Sequence, residues 1–156
     1  MPNWCEGYIR IMGEWEDILS FLTNDLDLPD GGTKEDIEVN FPYYDDKHAF
    51  EIDISNYGAH IRGTRRGFIL PINEVFYKRR ESPDVIALPS KFAWDIDVEG
   101  LRKLSEERSL NFRIYAFESG MQFNRYIEIL KGKITKNDTI KFKDYEWECI
   151  DPYKGG

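Results

Sequence analysis

Hydrophobic and polar positions recur along this chain with two periods, and their succession predicts the elements. Tyr8-Ile9-Arg10-Ile11-Met12 alternates with period two and stops at Gly13, the pattern of a first strand. Trp15, Ile18, Leu19, Leu22 and Leu26 then fall at helical spacing and form one apolar stripe. Glu14, Glu16 and Asp17 stand in the first turn, where the helix dipole favours negative charge. Residues 24–32, rich in Asp, Pro and Gly, read as a loop. Period two returns at Ile37, Val39 and Phe41 and again at Phe50, Ile52 and Ile54, with Glu and Asp between, as in antiparallel strands with one wet face. Residues 42–48 read as the turn between them.

Beyond this pair, residues 57–62 form a candidate strand, Gly63-Thr64-Arg65-Arg66-Gly67 a basic turn and Phe68-Ile69-Leu70 a further strand. Three prolines, Pro71, Pro83 and Pro89, interrupt the pattern over 71–91. Phe92, Trp94 and Ile96 alternate, and Asp97 stands at an N-cap before the stripe Val98, Leu101, Leu104 of a second helix. Phe112, Ile114 and Ala116 resume period two, Glu118-Ser119-Gly120 makes a hairpin turn, and residues 121–130 return. More β is expected at 139–143 and 145–150. The succession of strand, helix, strands, helix and strands predicts an α+β fold. Its form is the ferredoxin-like split βαβ, a βαββαβ core with an antiparallel sheet, two helices on one face and extra C-terminal strands. A single domain over 1–156 is expected, with an inserted segment around 57–91 and a C-terminal β extension over 133–151.

Charge is distributed unevenly along the chain. The 156 residues carry a formal net charge of −8, and the 41% hydrophobic and 15% aromatic content is that of a folded core, which excludes a disordered chain. Residues 14–53 hold thirteen acids and two bases, a net of −11, whereas residues 60–80 hold six bases and one acid, a net of +5. A nucleic-acid binder usually shows a basic excess, and here only one short segment supplies it. No apolar run approaches the ~20 residues of a membrane span, and no signal peptide is read at the start, so a soluble protein of the cytoplasm with no membrane partner is expected. Cys5 and Cys149, far apart in the chain, read as buried thiols of a reducing compartment.

Motifs for catalysis are sparse: no nucleophile elbow, phosphate-binding loop or His-Glu-x-x-His occurs, and no cofactor is expected. A Cys–His nucleophile built on Cys5 is set against a buried thiol beside the first strand, which fits free cysteine better. Asp45 and Asp46 with His48, followed by Glu51 and Asp53, could offer oxygen ligands to a divalent metal, but a solvated turn and strand face explain them without an ion. Arg62, Arg65 and Arg66 among glycines form a tip of guanidinium forks suited to phosphate or carboxylate. Two readings of that turn stand side by side: it binds an anionic partner, or it pairs with the protein's own acids.

The opening Met1-Pro2-Asn3-Trp4-Cys5-Glu6, with Ile9, Ile11 and Gly13 behind it, resembles the YubB ferredoxin-like family of phages, prophages and plasmids, whose members typically begin Pro-Asn-Trp-Cys. Tyr115-Ala116-Phe117-Glu118-Ser119-Gly120, with Phe123, Tyr126 and Gly132, is a weaker likeness. Gly7 stands where the family often has Asn. The resemblance implies a ferredoxin-like fold, a mobile-element origin and the cytoplasm of an infected or lysogenic bacterial host, and it carries no catalytic activity. Trp4 and Cys5 read as a structural anchor of the N-terminus.

Two functions are weighed. The first is a non-enzymatic, anti-CRISPR-like phage or mobile-element protein that binds and inhibits a host nucleic-acid-handling defence factor, such as a CRISPR effector nuclease. Its acidic surface would imitate a phosphate backbone, with Asp25, Asp27, Asp45, Asp46, Glu51 and Asp53 facing the partner. The second is a nucleic-acid-binding module that uses the basic turn Arg62, Arg65 and Arg66 and the sheet aromatics Tyr115, Phe117 and Tyr126. Nucleic acid ranks second as a partner, and the sequence names no oligomeric state.

Overall fold

The computed structural model describes residues 1–28, 37–40 and 48–156. In chain order the elements are β1 (Trp4–Gly13), α1 (Trp15–Asn24), β2 (Leu26–Asp27), β3 (Ile37–Asn40), β4 (Ala49–Ile54), β5 (Ala59–Ile61), β6 (Gly67–Ile69), β7 (Ile72–Tyr77) and β8 (Asp84–Ala93). There follow α2 (Val98–Arg108), β9 (Asn111–Glu118), β10 (Phe123–Leu130), β11 (Lys133–Lys141) and α3 (Tyr145–Glu148). Eight strands form one sheet in the order β11-β10-β9-β1-β8-β6-β5-β2, and three form a second in the order β3-β4-β7. Every pairing is antiparallel.

This architecture corrects the α+β expectation. The described residues are 49% strand and 18% helix, in an eight-stranded and a three-stranded sheet with three short helices, and the fold is not a small ferredoxin-like βαββαβ core. The alternating patterns did mark strands, but period two fixes a strand's faces and not its partner. β3 and β4 leave the main sheet to pair with β7, while β2, β5 and β6 extend it on one side and β10 and β11 on the other. Residues 145–148, expected to be strand, form α3, because the Asp144 carboxylate accepts from the Trp147 N–H and caps a turn of helix. Leu26, expected on the helical stripe, lies in β2 instead. The alternation Phe92, Trp94, Ile96 stops being strand at Ala93, and Trp94 adopts φ 68° in the left-handed region as the chain turns toward α2.

Asp97 caps α2 as its position suggests, accepting from the Gly100 N–H at 3.1 Å. Pro89 is accommodated inside β8 because its carbonyl accepts from Leu70 on the side where β6 has just ended. The N–H that proline lacks points to that same side, so no bond to β1 is lost. One apolar core joins the sheets. Ile9 and Ile11 of β1, Trp15, Ile18, Phe21 and Leu22 of α1, Phe50, Ile52 and Ile54 of β4, and Leu101 and Leu104 of α2 are all buried in it. Trp15 meets Phe50 at 4.8 Å between ring centroids, so α1 is the contact through which β4 rests on the rest of the core.

Candidate functional site

With the inward residues committed to the core, the polar phase of each strand is left to define the surface. On β1 that phase is Trp4, Glu6, Tyr8, Arg10 and Met12, half-buried or exposed, alternating with buried Cys5, Gly7, Ile9, Ile11 and Gly13. The antiparallel register carries these positions across the sheet in rows, since directly opposed residues share a face. Tyr8 stands opposite Tyr115, which stands opposite Tyr126. Arg10 stands opposite Arg113, which stands opposite Glu128. Glu6 stands between Phe117 and Lys91, and Lys91 opposite Phe68, itself opposite His60. Gly7 makes the central row possible, because a Cβ there would collide with the Tyr115 carbonyl oxygen.

The rings gather in two groups. Tyr115 lies 5.3 Å from Phe117 and 5.8 Å from Tyr126, between centroids, and with Tyr8, Arg10 and Arg113 these line a cleft of about 350 Å³. Trp4 lies 6.0 Å from Phe68 in an edge-on contact, and His60 lies 5.4 Å from the same Phe68. With Tyr57, Arg65, Arg66 and Lys91 they line a second cleft of about 480 Å³. Cations sit against the rings: Lys91 Nζ 4.4 Å from the Trp4 centroid, the Arg66 guanidinium 5.6 Å from it, Lys136 Nζ 4.4 Å from Tyr126 and Lys154 Nζ 5.2 Å from Tyr8.

Arg113 is held by Glu128, its Nε donating to Oε2 at 2.9 Å; this bond raises the guanidinium's pKa and, with the Thr135 hydroxyl, keeps the Glu128 carboxyl below its ordinary range. The Arg10 side chain makes no hydrogen bond or ion pair among the described residues, and Arg10 faces Arg113 on one side and Ala87 on the other. Like charges directly opposed in a sheet repel, and although Glu128 offsets the charge on Arg113, the exposed Arg10 is a cation that an added anion would relieve.

The expected site residues divide. Asp25 is fully buried and does not face a partner: Arg62 Nε donates to its Oδ1 at 2.7 Å and Arg108 Nε to its Oδ2 at 2.6 Å. Arg62 donates also to Glu107 at 3.0 Å, so of the two readings of the basic turn, pairing with the protein's own acids holds for this arginine. Those bonds, the Asp25 one foremost, push the Arg62 pKa up. Arg65 and Arg66 remain on the surface; the Arg65 side chain is 85% exposed, with its Nε 3.8 Å from the Asp97 carboxylate. Asp27 lies on β2 with its carboxylate 4.0 Å from His60 Nδ1. Glu51 and Asp53 lie on the outward phase of β4, where Asp53 stands directly opposite Glu38. Asp45 and Asp46 lie outside the described residues.

Trp4 is half-buried on the outward face, and its carbonyl accepts from the Gly156 N–H at 2.8 Å. Cys5 is fully buried, and burial first, then Asp95 and Glu118, push its thiol pKa well above the ordinary value, so it stays protonated. Among the described residues no three metal-ligating side chains come together, and no helix is long and apolar enough to cross a membrane. Sequence reasoning missed Tyr8, Arg10, Phe68 and Lys91 as site residues. Their signal was present: the polar phase of a strand that carries large rings and arginine exposes apolar area that hydration alone does not reward.

No family model matches the chain, and no curated protein and no solved structure matches it.

Proposed function

We propose that the protein is a nucleic-acid-binding module that lays a single strand across the outward face of the eight-stranded sheet. The observation that supports this reading is the row Tyr8, Tyr115 and Tyr126, flanked by Phe117 and by Arg10 and Arg113 in one continuous cleft. Bases offer flat faces to such rings whatever their identity, and each stacked base contributes about 1–3 kcal/mol. With a net charge of −8, the molecule as a whole repels a polyanion, so affinity must come from stacking and from the few cations placed at the rings. Three stacked bases at about 2 kcal/mol each correspond to a dissociation constant of roughly tens of micromolar. Fluorescence anisotropy of labelled single-stranded DNA and RNA at low salt tests it. Salt-sensitive binding that duplex does not match is expected, and no binding of either strand at high micromolar protein removes the reading.

A second reading is favoured by a different observation. Glu38, Glu51 and Asp53 share the outward phase of β3 and β4, on the three-stranded sheet that is separate from the one carrying the ring rows. A phage or mobile-element protein that inhibits a host nucleic-acid-handling defence factor would use such carboxylates in place of phosphates. Pull-down from bacterial lysate with the native chain and with Glu38, Glu51 and Asp53 changed to Lys tests it; a nuclease captured by both chains alike, or by neither, argues against it.

A further inference from the structure

Beyond the arginine row Arg10, Arg113 and Glu128, the next row on the same face is Val85, Met12, Asn111 and Leu130, each opposite the next along the sheet. These four line a small pocket of about 220 Å³, and Arg10 and Arg113, which also line the tyrosine cleft, stand at its border. Phe112 and Glu128 complete its lining, so among the apolar walls stand the Glu128 carboxylate, already held by Arg113, and the Asn111 carboxamide. The Asn111 Oδ1 is buried and is the one buried side-chain nitrogen or oxygen among the described residues without a hydrogen-bond partner. Leaving such an acceptor unpaired is unfavourable, and an apolar residue of the same size at this position would avoid that penalty. The volume falls below the about 300–1,000 Å³ of sites for larger ligands and suits one planar ring system.

We propose that this pocket reads one base of the bound strand and selects bases whose edge carries an amino group beside a bare ring nitrogen, adenine or cytosine. The inference rests on the reading of this face as a single-strand platform. The amino N–H of the base donates to Asn111 Oδ1, and the carboxamide Nδ2 donates back to the ring nitrogen, a two-bond pairing that the carboxamide geometry supports. Met12, Val85 and Leu130 cover the faces of the ring, and Arg10, unpaired on the neighbouring row, meets the phosphate that links this base to those on the tyrosines. Held in that same pose by the backbone and by the Watson–Crick edge, guanine, uracil, thymine and hypoxanthine present a carbonyl where the amino group is needed, which sets oxygen against oxygen.

Paired oligonucleotides that differ by one amino-to-oxo exchange test the proposal: a single adenine against hypoxanthine, and a single cytosine against uracil, in an otherwise constant single strand. The amino-bearing member is expected to bind about 5- to 100-fold more tightly, in the adenine pair, the cytosine pair or both, and the pair that responds identifies the base. Asn111→Leu is expected to equalise the members of that pair while the melting temperature holds or rises, since an unsatisfied acceptor has been removed. Asn111→Asp, which keeps the shape and loses the donor, is expected to shrink the preference as well. Equal binding of all four strands by the native chain, or a preference that survives in both variants, overturns base selection and leaves the single-strand platform standing. If none of the strands binds at low salt, the platform reading itself fails and base selection falls with it.

Discussion

The outward faces of the two sheets are produced by the same alternation and carry opposite chemistry. On the three-stranded sheet the polar phase of β3 and β4 is Glu38, Asn40, Glu51 and Asp53, with the Asn40 Nδ2 donating to Glu38 at 3.2 Å. On the eight-stranded sheet the polar phase of β1, β9 and β10 is dominated by Tyr8, Arg10, Arg113, Tyr115 and Tyr126. Hydrated carboxylates on a strand face need no partner, because water satisfies them and solubility favours them. Half-buried rings in a row expose apolar surface to water and gain most when another flat apolar group covers them. A net charge of −8 describes neither face, and the difference shows that side-chain type at outward positions is more informative about binding than the total.

The comparison can be broken at the support beneath the basic turn. Asp25→Ala leaves Arg62 and Arg108 without their shared buried carboxylate, and a loss of about 2–4 kcal/mol in urea-unfolding stability is expected, discounted for the partial exposure of both arginines. A loss below about 0.5 kcal/mol would show that the carboxylate does not hold the turn. Next in size, Tyr115→Ala and Tyr126→Ala are each expected to weaken single-strand binding by about 1–3 kcal/mol in anisotropy titrations. Changing Glu38 and Glu51 to Gln and Asp53 to Asn is expected to alter it far less; equal effects on the two faces would erase the distinction between them. Arg10→Ala is expected to flatten the slope of log affinity against log salt by about 0.7, the contribution of one single-strand phosphate.

The smallest effect concerns pH. Glu128 titrates below its ordinary value in the folded state, so its bond to Arg113 stabilises fully above the unfolded value and that contribution is lost as pH falls through the folded one. The melting-temperature difference between the native chain and Glu128→Gln is therefore expected near neutrality and to vanish in acid. A gap that stays constant from pH 7 to pH 3 would assign it to packing instead.

Local order was legible in the sequence where periodicity and capping agree. The β1 alternation and the Asp97 cap lie where the pattern put them, while the turn expected at 118–120 falls at 119–122, with Glu118 still the last residue of β9. Partner choice was not legible, because Ile37, Val39, Phe50 and Ile52 have the same pattern whether β3 and β4 join the large sheet or stand apart with β7. Asp25 shows why a charge run misleads: of the eight described acids between residues 14 and 53 it alone is buried, and the distant Arg62 and Arg108 make that tolerable. Tyr115, Phe117 and Tyr126 were singled out as rings on one face, but Arg10 and Lys91 join them through a register that no single strand encodes.

The turn that carries Arg65 and Arg66 is stapled from within and from below. The Thr64 hydroxyl donates to the Ile61 carbonyl at 2.7 Å and accepts from the Gly67 N–H at 3.1 Å, His60 Nε2 lies 2.9 Å from the Thr64 carbonyl, and the Arg62 N–H donates to the Asp25 carbonyl at 2.9 Å. A loop already held in one shape has little backbone freedom left to surrender when a partner arrives, so most of the ordering entropy was lost when the chain folded. Mutations that loosen these staples without touching Arg65 or Arg66 should therefore slow capture and speed release of an anion in proportion to the mobility they restore.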